Sequence, residues 1–286
     1  PFVKADENEV IPLDIQPTFL PHLHQVQAFK RLTTHDGHKP EPTLLTTGIG
    51  SGKTECFLFP VLDYVYQMNR YEHRQGVKVI ILYPMNALAS DQAKRLGEAI
   101  WNDPRLKGIV TAGLFIGEGT DKKDFPTQMG EHNIIESRDA IVDTVPDILL
   151  TNFKMLDYGL MQQRFMPLWK GNIGEKEPML HFIVLDELHT YDGAQGTDVA
   201  NLIRRLKLKL NLPAEQLTPI GTSATIGNGE DSKRLLCKYA SDVFGEEFTP
   251  DSVIEETRIE VDDFFDVKVT TLPVDVQLKK LNIEAF

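Results

Sequence analysis

Thr43-Leu44-Leu45-Thr46-Thr47-Gly48-Ile49-Gly50-Ser51-Gly52-Lys53-Thr54 is the stretch that decides the fold. A short apolar run leads into a glycine-rich turn, and an amphipathic segment follows from Lys53. Strand, turn and helix in that order form a cradle for phosphate. Glycines permit the tight turn and let backbone N–H groups approach phosphate oxygens. The helix N-terminus adds partial positive charge. Lys53 is placed to reach the β- and γ-phosphates of a nucleoside triphosphate, and the Thr54 hydroxyl to ligate Mg2+. The strict G-x-x-x-x-G-K-[ST] pattern has Gly where this chain has Thr47. The alternative is a glycine-rich turn that binds nothing, and the correct placement of strand, turn and helix weighs against it. Thr47, Gly48, Ile49, Gly50, Ser51, Gly52, Lys53 and Thr54 are therefore expected to hold the nucleotide.

Outward from this loop, short apolar runs alternate with longer amphipathic ones, the pattern of an α/β fold with a mostly parallel sheet flanked by helices. The pattern predicts strands over Thr43–Thr47, Lys78–Tyr83, Ile109–Phe115, Asp147–Thr151, His181–Leu185 and Thr218–Thr222. It predicts helices over Leu23–Thr33, Lys53–Met68, Met85–Trp101, Phe153–Met161, Thr197–Leu210 and Asp231–Phe244. Gly117–Ser137 is polar and reads as a surface insertion, and Phe165–Pro178 reads as a connection. Residues 1–19 are expected to be an N-terminal extension, 20–255 one nucleotide-binding domain, and 256–286 the start of a linker, with Arg258–Thr271 alternating like a strand.

The bulk numbers fit a globular chain and restrict its partners. The 286 residues are 41% hydrophobic and 25% charged, with a formal net charge of −12. Such acidity argues against a broad basic surface, so any nucleic acid must be gripped locally. Cys56 and Cys237 lie at no metal-ligand spacing, so a reducing, cytoplasmic setting fits. Cys56 reads as a small core residue. The longest strongly apolar stretch, near Val79 to Tyr83, is far too short to span a bilayer. Pro1–Asn8 carries no apolar signal core, and a first residue other than Met suggests a fragment or a processed product.

His181-Phe182-Ile183-Val184-Leu185 is a buried-strand run, and Asp186-Glu187-Leu188-His189 stands at its carboxyl end, where open α/β sheets place their chemistry. Asp186 suits Mg2+, and Glu187 suits orienting and deprotonating an attacking water. Two solvated acids are the bland alternative, and the nearby phosphate loop weighs against it.

With these residues in view, the chain resembles the DEAD/DEAH-box helicases of superfamily 2, over about Leu20 to Phe244. Asp186-Glu187-Leu188-His189 looks like motif II, with Leu where the family often has Ala. Ser223-Ala224-Thr225 looks like motif III, with His189 as the expected partner of Ser223 and Thr225. Tyr83–Ala89 resembles motif Ia and Pro146–Asn152 the Ib region. Gln25 resembles the glutamine that reads adenine, with Gln27 as a second candidate. Thr46–Glu55, the motif His189–Gly196 and the helix after it with Ile203-Arg204-Arg205-Leu206 look like those of large prokaryotic DNA helicases of repair and anti-phage defence.

The resemblance implies a RecA-like domain that binds ATP and Mg2+ and couples hydrolysis to movement on nucleic acid, DNA before RNA. It implies nucleic-acid contacts at Pro84, Asn86, Ala87, Gly117, Thr151 and Asn152, made largely by helix N-termini and backbone N–H groups. Asn86 and Asn152 can also cap helices, and the two roles are compatible. Arg204, Arg205, Lys207 and Lys209 read as a helix end favoured by the dipole. His22 and His24 read as surface or capping residues. About sixty residues follow Thr225, too few for the second RecA-like domain that completes such a motor and supplies its arginines. That domain is an expected partner, with defence or repair proteins, and no membrane is expected. A double-stranded DNA translocase and a non-motor ATP-binding switch stay open as alternatives.

Overall fold

The structure, a computed structural model, describes residues 2–48, 50–117, 125–175, 177–224 and 230–259. Seven strands form one sheet in the order β3-β4-β2-β5-β6-β1-β7. They are β1 (Thr43–Thr46), β2 (Val79–Leu82), β3 (Ala112–Phe115), β4 (Ile148–Thr151), β5 (Phe182–Leu185), β6 (Thr218–Ser223) and β7 (Val253–Glu255). Every pairing is parallel. The helices are α1 (Leu23–Leu32), α2 (Lys53–Gln67), α3 (Asn86–Asn102), α4 (Arg138–Thr144), α5 (Phe153–Met161), α6 (Gly193–Leu210) and α7 (Glu230–Phe244). The predicted α/β fold is the observed one.

Strand side chains alternate between faces, so the sheet carries two cores. Val79 and Ile81 face α1, α2 and α3, against Ala28, Phe57, Val61, Ala93 and Leu96. Ile80 and Leu82 face the other side, with Leu156 of α5, Ile203 of α6 and Ala240 of α7. Continuous apolar runs are what a sheet covered on both faces requires.

Departures from the sequence reading have local causes. The third strand begins at Ala112 and not at Ile109, because Val110 closes a helical turn onto Leu106 and the Thr111 N–H bonds the Asp147 carboxylate (2.8 Å). Phe165–Pro178 is not a plain connection: Gln163–Trp169 is a 3-10 helix, Trp169 is fully buried, and its indole donates to the Gly159 carbonyl at 3.0 Å. Within Gly117–Ser137, Ile135 returns to bond β3 at Ala112 and Leu114, and α4 follows. The fourth helix and the seventh strand were not predicted. α6 starts at Gly193, four residues before the predicted Thr197. Gly196 lies so tightly under the Tyr191 carbonyl and the Tyr239 hydroxyl that any Cβ would collide.

The N-terminal strap is packed onto the domain. Ile15 is fully buried, and Lys4 and Phe2 bridge to His22 and Arg258. Arg258–Thr271, read as a possible strand, lies outside the described residues beyond 259.

Candidate nucleotide and nucleic-acid site

The parallel sheet brings the carboxyl ends of all its strands to one edge. β1 ends at Thr46, and the loop turns into α2 through Gly50 (φ 79°) and Gly52 (φ 77°), a backbone region that favours glycine. At Gly52 a side chain would also collide with the Gln25 amide. Thr47 occupies its non-glycine position usefully: it is fully buried, and its hydroxyl lies 2.7 Å from that of Ser51, across the mouth of the loop. Ile49 lies outside the described residues.

Lys53 opens α2 and extends over the ends of β6 and β5. Its Nζ donates to the Ser223 carbonyl (3.0 Å) and stands 3.9 Å from the Glu187 carboxylate. The acidic pair follows β5. The Thr222 hydroxyl donates to Asp186 Oδ1 (2.5 Å) and accepts the Glu187 N–H (3.0 Å). Burial pushes the Asp186 carboxyl above the usual carboxylate range, against the pull of the Thr222 hydrogen bond. Glu187 adopts a left-handed backbone (φ 52°), uncommon for a non-glycine residue and frequent at functional sites. His189 Nδ1 lies 3.3 Å from Ser223 Oγ and 3.4 Å from Glu187 Oε2. The expected His189–Ser223 partnership is therefore made, while Thr225 lies outside the described residues.

Lys53, Asp186, Glu187, His189 and Ser223 thus converge. Thr54 is the second residue of α2, beside Lys53. Its hydroxyl and the Asp186 carboxylate are oxygen donors of the kind a hard divalent cation takes, and a nearby cation would lower the raised Asp186 pKa.

Gln25 reaches the same loop, its amide donating to the Gly52 carbonyl (3.2 Å) while its oxygen accepts the His22 N–H (2.8 Å). Gln27 is exposed. His24 corrects its surface reading. It is fully buried, and its Nε2 lies 2.8 Å from the Ser51 carbonyl, which can only accept. The proton therefore sits on Nε2, and burial holds the imidazole below the usual histidine range. His22 caps α1 as read, its ring stacked on His24.

Two further residues escaped the sequence reading. Thr222, just before the Ser-Ala-Thr motif, could have been found by asking which hydroxyl on the neighbouring strand faces Asp186. Glu256 offered no sequence signal, yet its carboxylate accepts the Gly48 N–H and pairs with Arg258. Burial opposes ionisation there, and the Gly48 N–H and Arg258 outweigh it, so the Glu256 carboxyl sits below its usual value.

The other half of the same edge gathers the expected nucleic-acid residues. Asn152 Nδ2 donates to Asn86 Oδ1 (2.6 Å), joining the starts of α3 and α5. Asn152 Oδ1 caps α5 by accepting the Met155 N–H (2.8 Å), whereas α3 has no side-chain cap. Ala87 and Gly117 are exposed, and Pro84 is half-buried. Thr151 differs: it is fully buried, its hydroxyl bonds the Phe115 carbonyl (2.5 Å) and its carbonyl accepts the Tyr83 N–H (2.9 Å), so neither group faces a nucleic-acid strand as the resemblance implies. The basic run on α6 is occupied. Arg204 bonds the Asp242 carbonyl, Arg205 pairs with Asp157 (2.7 Å), Lys207 with Glu246 (2.6 Å), and Lys209 bonds the Leu160 carbonyl. These cations tie α6 to its neighbours.

A phosphate loop, an acidic pair after the next strand but one, and a histidine–serine contact on a parallel sheet define an α/β phosphate-loop hydrolase domain. The model of the DEAD/DEAH box helicase family matches residues 23–232, and the chain belongs to that family. It is 27% identical to the Druantia protein DruE of Escherichia coli (strain UMEA 4076-1) over 83% of this chain and 18% of DruE. It is 30% identical to the ATP-dependent helicase YprA of Bacillus subtilis (strain 168) over 73% of this chain and 23% of YprA. The helicase MrfA, solved with DNA and AMPPNP, superimposes with a TM-score of 0.57 at 26% identity, over 82% of this chain and 26% of MrfA. The chain thus spans about a quarter or less of these relatives. Among the described residues no helix is long and apolar enough to cross a membrane.

Proposed function

We propose that this chain is the ATP-binding motor domain of an ATP-dependent DNA helicase. The carrying observation is the convergence of Lys53, Asp186, Glu187, His189 and Ser223 at one end of the sheet, beside the joined Asn86 and Asn152. Lys53 binds the β- and γ-phosphates, Thr54 and Asp186 hold Mg2+, and Glu187 orients and deprotonates the water that attacks the γ-phosphate. Mg2+ supplies charge neutralisation on the phosphates. His189 and Ser223 link the base to the end of β6, so the nucleotide's state reaches the sheet edge where the strand lies. Gln25 contributes adenine recognition from its seat against the loop.

The strand is held by the free N–H groups of α3, by Asn86 and Asn152, and by the exposed backbone at Ala87 and Gly117. Such a grip needs little net positive charge. DNA is the favoured polymer because MrfA, 26% identical, was solved on DNA, and a role in repair or phage defence is the one that the resemblance of His189–Gly196 and its following helix implies. A second RecA-like domain supplies the arginines that stabilise the transferring phosphate. The test is steady-state ATPase of a protein containing both domains, with and without single-stranded DNA at stated salt. Stimulation by DNA that disappears in Lys53→Ala is expected. Turnover indifferent to DNA would remove the motor reading.

A further inference from the structure

Towards the end of α2 remote from the phosphate loop, four side chains from three segments converge. Asp63 and Gln67 stand one turn apart on α2, His35 follows α1, and Asp14 comes from the N-terminal strap. His35 Nε2 lies 2.9 Å from Asp63 Oδ2, and the Gln67 amide lies 2.6 Å from both. A ligating oxygen of Asp14 completes a set whose Asp and His atoms lie within 4.8 Å of one another. Asp63 is fully buried, while Asp14 is exposed, so the cluster opens to solvent on one side.

Asp63 Oδ2 can accept one N–H from His35 and one from Gln67, but the two donor nitrogens then stand 2.6 Å apart, closer than two N–H groups pack. Turning the Gln67 amide removes that clash and sets two oxygens 2.6 Å apart, a contact that needs a proton or a cation between them. With the amide turned, Asp63 charged and His35 Nε2 unprotonated, these three atoms and the neighbouring Asp14 oxygen all offer lone pairs.

We infer that Asp14, His35, Asp63 and Gln67, through its amide oxygen, form a binding site for a divalent metal ion of the Zn2+ or Mn2+ class. One imidazole nitrogen among carboxylate and amide oxygens is a donor set of that intermediate kind, and Mg2+ favours oxygens alone. The remaining hydrogen bonds orient the ligands. Asp63 Oδ1 accepts the Ile15 N–H (2.7 Å), leaving Oδ2 for the ion. The His35 backbone N–H donates to Thr33 Oγ1 (3.1 Å), which itself donates to the Pro12 carbonyl (2.7 Å). The nearby Arg105 binds the Asp14 carbonyl (2.9 Å) with its charge matched by Asp103. The ion would clamp the strap onto α2, the helix that carries Lys53 at its start.

The experiment uses the 286-residue chain, stripped with chelator and free of nucleotide, titrated calorimetrically with Zn2+ and with Mn2+. Wild type should take up one equivalent of one of them, with a rise in thermal midpoint. X-ray absorption of the loaded protein should show a single imidazole among light ligands near 2.0–2.2 Å. His35→Ala and Asp14→Ala should each weaken uptake by more than about tenfold, the loss seen even for partners outside the ligand set. Asp186→Asn should leave it unchanged, which separates this site from the nucleotide's cation. Should Asp63→Asn fail to fold, the two variants at the solvent-facing side decide. Absence of uptake by wild type, with a proton on Asp63 holding the cluster, would overturn the inference, as would equal uptake by His35→Ala and Asp14→Ala.

Discussion

Replacing Thr222 by Val keeps the shape of the β6 side chain and removes its hydroxyl. Two hydrogen bonds go with it: the 2.5 Å bond to Asp186 and the 3.0 Å bond from the Glu187 N–H. A hydrogen bond to a charged group contributes roughly 1.5–3 kcal/mol and a neutral one roughly 0.5–1.5 kcal/mol. Asp186 and Glu187 are partly exposed, so water replaces some of this, and a net loss of about 2 kcal/mol is expected at pH 7, near thirtyfold in the folding equilibrium. The pH dependence has a definite sign. Asp186 is raised by burial, so the native state holds its proton more tightly than the unfolded chain does. Its contribution therefore falls as pH rises from the unfolded carboxylate value to the raised native one, and is level above that. Thr222 pulls the native value down, so its loss widens this window upward, and the variant's deficit should be smaller in acid than at neutrality. Urea unfolding of wild type and Thr222→Val across pH 4 to 8 measures this, beside titrations with a fluorescent ATP analogue with and without Mg2+. Affinity with Mg2+ should fall, and affinity without it should change little. Equal stability at pH 7, or a deficit that does not vary with pH, would refute the placement of Thr222 between the two acids.

Lys53→Ala should lose nucleotide affinity because it removes the main cation over the phosphates, and a fluorescent ATP analogue reads this directly; undiminished binding would show the loop is not the site. Glu187→Gln should bind ATP and DNA normally while hydrolysis by a two-domain protein falls by roughly 10²–10⁴-fold, the range for a general base; wild-type turnover would place the base elsewhere. Asn86→Ala should weaken single-strand binding at fixed salt by about 1 kcal/mol, one hydrogen bond's contribution, with ATP affinity unchanged. Asn152→Ala should do the same and also lose stability of roughly 1 kcal/mol, because only Asn152 caps its helix.

Six strands and six helices were legible because burial on both faces of a parallel sheet leaves apolar runs too plain to misread. The short pieces were not. β7 has three residues and owes its existence to pairing with β1, a contact between segments about two hundred residues apart. α4 follows a polar insertion, and its cap at Ser137, accepting from Ala140 N, is a weak local signal. At the site, the pattern named Lys53, Asp186 and Glu187, since their spacing to glycine or strand is local. It missed Thr222, whose partner lies on another strand, and misjudged His24, whose burial under the phosphate loop depends on α1 packing against α2. Thr151 shows the converse error: a position at the right strand end does not fix which way its hydroxyl turns.

The sheet order explains how one edge can serve two ligands. Nucleotide residues sit at the ends of β5, β6 and β1, which are adjacent. The proposed strand contacts sit at the ends of β3, β4 and β2, also adjacent, on the other half. The two halves meet at one strand pair, β2 with β5. There the Asp186 N–H donates to the Leu82 carbonyl (2.9 Å), four residues before Asn86. On the nucleotide side, Asp186 is held by Thr222, and the next residue of β6, Ser223, touches both Lys53 and His189. Hydrogen bonds across adjacent strands therefore run from the phosphate lysine through the acidic pair to Leu82, and four residues of backbone carry the connection on to Asn86. A chain with a net charge of −12 needs no basic groove under the proposed arrangement: specific backbone groups would hold the polymer, and the proposed ATP site would lie one strand away.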